Sequence, residues 1–381
     1  MNLIDFAKFK KMVGGGSGGG SATTSVRAKD LNFYDYDGTR VYAYTLAEAQ
    51  ALTELPKLPE HTGLTAQEWN YTLEEIKSYN RPVDVGATYI TDDGKTRIYI
   101  SLKDDGRLNV PLYIYQSKSN AVVIDWGDGS AEEESQSTGS ILVRHTYPTT
   151  GDYVITLDCG AATVNAATVK FWSSPSSNEA GYKYYRTTIR KVDIGNGFSS
   201  LGDEAFNGCS CLESIVIPSN VTSGGTRAFA DCAMLSSIVI PHAMYTINDY
   251  MLNGCRALTK AILPHGLTKV GQYAFSNCVA VDDILLPDAV TSIGSQAFRF
   301  CYSFGKVIIP KGVTSLASYV FSNVDGVKIY DFSASIQVVS LSSSSYIAVP
   351  SDCEIRVPSA LYDEWIAASN WSSFASQIVA V

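Results

Sequence analysis

The chain has 381 residues, 45% of them hydrophobic, and a formal net charge of −9. That length predicts two to four domains, and the negative charge argues against a nucleic-acid partner, which needs a basic face. No apolar run of about 18 residues exists, so membrane insertion is not expected. Charged residues are only 18% of the chain, against roughly 25% in an ordinary soluble protein. The eight cysteines have to be read from their spacing, as disulfides, metal ligands or packing.

Residues 1–13 carry Leu3, Ile4, Phe6, Phe9, Met12 and Val13, with Leu3, Phe6 and Phe9 at helical spacing. The lysines at Lys8, Lys10 and Lys11 follow the apolar patch, whereas a secretion signal places its basic residues first. Residues 14–29 open with a Gly/Ser run from Gly14 to Ser21, the composition of a flexible tether. No Gly-Lys-Ser/Thr follows, so this is not a phosphate loop. An apolar segment on a glycine leash reads as a docking peptide, a flexible N-terminal anchor contacted through Leu3, Ile4, Phe6, Phe9 and Met12.

Residues 30–84 form a small β-rich domain. Asp37-Gly38 between apolar alternations predicts a hairpin, and Thr45 caps a short helix over Leu46 to Leu52. The run from Leu55 to Trp69 resembles the small β-rich repeats of bacterial and phage surface proteins, the Listeria–Bacteroides type. Trp69 reads as core. Residues 85–172 alternate in strands: Arg97–Leu102, Val110–Tyr115 and Val122–Trp126. The turn Asp125-Trp126-Gly127-Asp128-Gly129 and the segment His145-Thr146-Tyr147, then Gly151-Asp152-Tyr153-Val154, together resemble the immunoglobulin-like PKD domain. That resemblance implies a β-sandwich spacer without chemistry of its own. Asp125 and Asp128 could ligate calcium, but two carboxylates fall short of the six to eight oxygens usual there, and turn chemistry explains them. Residues 173–189 read as a linker.

Over 190–335 the cysteines acquire a meaning. Cys209, Cys232, Cys255, Cys278 and Cys301 stand 23 residues apart. Pro218, Pro241, Pro264, Pro287 and Pro310 keep the same period, as do Phe206, Phe229, Leu252, Phe275, Phe298 and Phe321. Framework positions at one period over six units define a solenoid. The unit, clean in Ile293-Gly294-Ser295-Gln296-Ala297-Phe298-Arg299-Phe300-Cys301, resembles the BspA-like leucine-rich repeats of bacterial surface proteins. Its L-x-x-I-x-I segment is a short parallel strand with the aliphatics, Phe and Cys turned inward. The thiols are expected to be reduced and to pack as small hydrophobes. No metal is expected, because no C-x-x-C occurs.

Between the inward residues lie Val216, Val239, Ile262, Leu285 and Ile308, an apolar ladder on the face that should meet solvent. Such a stripe marks an interface, covered either by another copy, in a homotrimer, or by the PKD-like sandwich. β-branched preference for strands is the plainer alternative. His242 and His265 stand one repeat apart, as loop residues or as a metal or pH site. Tyr250, Tyr273 and Tyr319 share one register, as structural rings or as a glycan-stacking surface. Residues 336–381, with Leu361, Trp365 and Ile366 on a helix, resemble the C-terminal caps of BspA-like arrays.

No G-x-S-x-G, H-E-x-x-H or phosphate loop occurs, and no cofactor is implied. The expectation is a mainly β, non-enzymatic modular protein. Such modules belong to adhesins and phage appendages. The favoured reading is a phage virion structural protein, a head or tail fibre held to capsid or tail proteins by residues 1–13 and touching a host surface protein or glycan. A bacterial cell-surface adhesin and a glycan depolymerase are the alternatives.

Overall fold

The computed structural model describes residues 30–116, 122–135, 139–160, 168–170, 185–341 and 347–381. The docking peptide and tether expected at 1–13 and 14–29 lie outside the described residues, as does most of the expected linker.

The first unit starts with a hairpin, β1 (Leu31–Tyr34) and β2 (Arg40–Tyr44), turning at Gly38 with φ +85°. Thr45 then caps α1 (Leu46–Ala51) in a reciprocal box with Glu48, which satisfies two otherwise orphan helix N–H groups. β3 (Leu64–Trp69) follows, then α2 (Leu73–Lys77), opened by the same device between Thr72 and Glu75. β4 (Val83–Thr91) lies beside β1 in parallel. The sheet order is β2-β1-β4-β3. Two helices on a mixed sheet make this unit α/β rather than only β-rich, and β4 runs through the boundary expected after residue 84. Trp69 is core, as read: it is buried against Phe33, and its Nε1 donates to the Pro56 carbonyl at 2.8 Å.

The second unit is a sandwich. β5 (Thr96–Leu102), β7 (Val122–Asp125), β8 (Glu133–Ser135) and β10 (Gly151–Asp158) lie in one sheet. β6 (Asn109–Gln116), β9 (Gly139–Thr146) and β11 (Thr168–Lys170) form the other. Ile98, Ile124 and Ile155 from the first sheet share one core with Val110, Leu112 and Ile114 from the second. Trp126 is fully buried at the turn, with His145 stacked on it at 4.8 Å. The Tyr147 hydroxyl donates to the Trp126 carbonyl at 2.9 Å.

β12 (Ile189–Asp193) pairs antiparallel with β5 and parallel with the first repeat strand, Ser214–Val216. The sandwich sheet therefore continues into the solenoid sheet, and the two cores merge into one cluster. Residues 188 and 189, expected in a linker, are already bonded here: Ser101 N–H donates to the Thr188 carbonyl at 2.8 Å. A solenoid must cover its first open layer, and β5 does so.

Beyond this junction the repeats stack in parallel at the 23-residue register, as Ser237↔Lys260 and Lys269↔Ser292 show. The fourth unit departs from the pattern, since Val281–Leu286 carries no strand; Asp282 and Asp283 are poor strand formers. The parallel sheet also runs on inside the expected cap, through Glu354–Val357 and Ile378–Ala380. There α3 (Tyr362–Ala367) presents Trp365 to Trp371 and Phe332, and the Trp371 Nε1 donates to the Val339 carbonyl at 2.7 Å. These rings seal the last layer.

Candidate binding surfaces

The inward side of each repeat is finished by its cysteine. Cys232, Cys255, Cys278 and Cys301 lie 3.2 Å from the carbonyls of Phe206, Phe229, Leu252 and Phe275, each in the preceding repeat. The column is thus an S–H donor ladder as well as packing. All eight cysteines are unpaired. Burial pushes the Cys209 thiol up to about 12 and raises Cys232, Cys255 and Cys278 well above their ordinary value, so these thiols stay protonated and unreactive.

The outward ladder is divided. Val216, Val239 and Ile262 are buried, and what covers them is neither a second copy nor the sandwich but the 30–91 unit. Val216 belongs to that unit's core, while Val239 and Ile262 pack on Tyr34. Gly86 of β4 makes the approach possible: a Cβ there would lie 2.5 Å from Val239 Cγ1 and 3.1 Å from Ile262 Cγ2. Leu285 and Ile308 remain half-buried. The step from the ladder to a homotrimer therefore lapses.

Polar contacts frame this covered face. Asn70 Nδ2 donates to the Ile240 carbonyl at 3.1 Å, and Ser237 Oγ to the Tyr36 carbonyl at 3.2 Å. The Arg81 guanidinium reaches both Asp288 and the Leu286 carbonyl, each at 2.6 Å. Lys260 lies between Asp283 at 2.7 Å and Asp84 at 3.8 Å; burial opposes its charge, but the two carboxylates outweigh it and raise its pKa. His265, expected in a loop, stands beside Tyr71 and Tyr79, its Nδ1 3.2 Å from the Tyr79 hydroxyl. His242 lies 4.0 Å from Glu75. Both histidines thus serve contacts between units.

Asp125 and Asp128 are held in the turn. They accept from Gly127 N–H at 2.8 Å and Ser130 N–H at 3.0 Å, and Asp128 also meets His145 Nε2 at 2.7 Å. Burial opposes ionisation of Asp128, yet Ser130 and His145 outweigh it and hold its carboxyl down at about 2. No group of three or more His, Cys, Asp or Glu suited to a metal occurs among the described residues.

Each repeat has two residues with left-handed backbone. One column is Glu204, Arg227, Tyr250, Tyr273, Gln296 and Tyr319; the other is Gly208, Asp231, Gly254, Asn277, Phe300 and Asn323. In the first five repeats their N–H groups bond the next repeat, as Tyr273 to the Ser295 carbonyl and Phe300 to the Ser322 carbonyl, both at 3.0 Å. Tyr250 and Tyr273 stack on each other at 4.6 Å, and the Arg227 guanidinium lies over the Tyr250 ring at 4.4 Å. Two of the three tyrosines that suggested sugar stacking therefore spend ring faces on one another. Tyr319 remains 44% exposed. Sequence reasoning passed over Phe300 and Tyr302, 5.9 Å apart. A phenylalanine in a register otherwise held by Gly, Asp and Asn was the signal available.

Comparison with known families agrees with this repeat geometry. The model of the BspA-type leucine-rich repeat region matches residues 179–284 and 270–361, in six copies. The C-terminal half of this mainly β protein is thus built of BspA-type leucine-rich repeats. Among solved structures it is similar to a T. pallidum leucine-rich repeat protein, at 30% identity over 39% of this chain and 67% of that one, TM-score 0.37. It is also similar to a leucine-rich repeat protein of Bacteroides ovatus, at 29% identity over 43% of this chain and 44% of that one, TM-score 0.34. A third similar structure is a leucine rich cell surface protein of Faecalibacterium prausnitzii, at 18% identity over 46% of this chain and 62% of that one, TM-score 0.31. The chain thus spans less than two thirds of the second and third of these proteins. No curated protein matches the chain.

Proposed function

We propose that this protein is a non-enzymatic, adhesion-type binding protein displayed on a particle or cell surface. The observation that carries the reading is the fusion of the sandwich and the BspA-type repeats through β5, β12 and a common core. A continuous sheet of this kind holds a distal surface at a fixed distance from an anchor. The 30–91 unit, clamped on three rungs, stiffens the junction. The sandwich is read as PKD-like, supported by the convergence of His145 and Tyr147 on the Trp126 turn.

The finer proposal is a phage head or tail fibre docked to capsid or tail proteins through Leu3, Ile4, Phe6, Phe9 and Met12. Its support is the apolar segment followed by the Gly14–Ser21 run. Display on a bacterial surface is the alternative, favoured by the BspA-type match. Immunogold labelling with an antibody to the repeats tests both. Label on intact virions supports the fibre, and label on uninfected cells supports the cellular adhesin. Labelled full-length protein that fails to sediment with intact host bacteria would remove the adhesion reading itself.

A further inference from the structure

The aromatic side of repeats five and six carries a cluster of polar and aromatic side chains. Gln296 and Arg299 are joined at 2.7 Å, and the Arg299 guanidinium lies 4.4 Å over the Phe300 ring. Phe300 in turn leans on Tyr302, at 5.9 Å. Tyr302 is 38% exposed and Tyr319 44%. Gln296 N–H bonds the Ser318 carbonyl at 3.0 Å, which sets Tyr319 beside it on the next rung. Phe300 has φ +63°. Gly, Asp and Asn hold this register in the other repeats, and a bulky ring there is more strained than they are.

We propose that Gln296, Arg299, Phe300, Tyr302 and Tyr319 form a platform for a neutral polysaccharide, about one sugar to a repeat. Aromatic rings offer flat apolar faces to the C–H side of a pyranose. The Gln296 amide and the donors of Arg299 suit hydroxyl groups at the ring edge. Neighbouring rungs lie about 4.8 Å apart, close to the advance of a β-linked chain per sugar. The chain's net charge of −9 disfavours acidic polymers. This platform rests on the adhesion reading, and it moves the contact from Tyr250 and Tyr273 to the neighbouring repeats.

Affinity electrophoresis of the full chain in gels holding barley β-glucan, yeast mannan or polygalacturonate tests it, beside sedimentation with host cells. Retardation is expected in a neutral gel, weakened about tenfold for each of Phe300→Gly, Tyr302→Ala and Tyr319→Ala, the loss of roughly one stacking contact. Phe300→Gly should also melt at the same or a higher temperature, since it relieves the left-handed strain; a merely structural ring would lower it. Tyr250→Ala should melt lower and bind unchanged. Cell binding kept by all three platform variants would overturn the platform and leave the adhesion reading standing. Retardation only by polygalacturonate would overturn the neutral class, and binding to neither cells nor gels would overturn both readings.

Discussion

Five residues of one sequence column meet two different fates. Val216, Val239 and Ile262 lie buried under the 30–91 unit, whereas Leu285 and Ile308 are half-open. Nothing in their side chains foretells it, because all five are aliphatic and fall at the same register. The difference lies in what arrives from elsewhere. Gly86 clears room over Val239 and Ile262, and Arg81 closes the unit on Asp288 at the fourth repeat. An apolar face in a repeat array is thus a request for a cover, and the cover can come from the same chain.

The sharpest way to break this comparison is to charge both halves. Ile262→Asp buries a carboxylate among Tyr34 and Val239 and should cost about 4 kcal/mol by urea unfolding, with release of the 30–91 unit. Ile308→Asp should cost about 1 kcal/mol or less. Equal losses would mean that the covered and open rungs do not differ. Next in size, Gly86→Ala should cost about 2 kcal/mol by overpacking, while Gly305→Ala, whose Cβ would meet nothing within 4 Å, should be close to neutral. The same order of effect, about 1.5–3 kcal/mol, is expected for Asp288→Ala, which leaves the partly buried Arg81 charge without its carboxylate.

A separate effect comes with pH. The raised pKa values of Lys260 and of the buried thiols favour the protonated forms in the folded chain. Their contribution is complete below the unfolded-state values, about 8.5 for Cys and 10.4 for Lys. It fades as pH climbs towards the folded-state values, about 12 for Cys209. The urea midpoint should therefore fall steadily above about pH 9. Lys260→Met should flatten only the upper part of that decline, and an unchanged midpoint between pH 8 and 11 would contradict both assignments.

Much of the fold was legible. The hairpin at Gly38, the Thr45 cap, the core position of Trp69 and the inward columns of the repeat follow from local chemistry or from a fixed offset. The fourth strand was not: Asp282 and Asp283 broke a pattern that the inward residues still obeyed. Nor was the end of the repeats, because the last rungs, Lys306↔Ile329 and Ile329↔Glu354, differ in spacing by two residues, and a strict period loses them. The tyrosine register was half legible. Tyr319 carried the signal, but only geometry shows that Tyr250 and Tyr273 face each other.

What the sequence by itself determined is the one-dimensional part of the molecule: period, inward residues, thiol column and helix caps. In a solenoid each unit touches its neighbours at a constant offset, so pattern and contact are nearly the same information. What only the tertiary structure decided is the contact made across the array. The docking of β4 on rungs well over 100 residues away depends on shape at Gly86 and on charges at Arg81 and Lys260. No periodicity encodes such a meeting, because its two sides belong to different patterns.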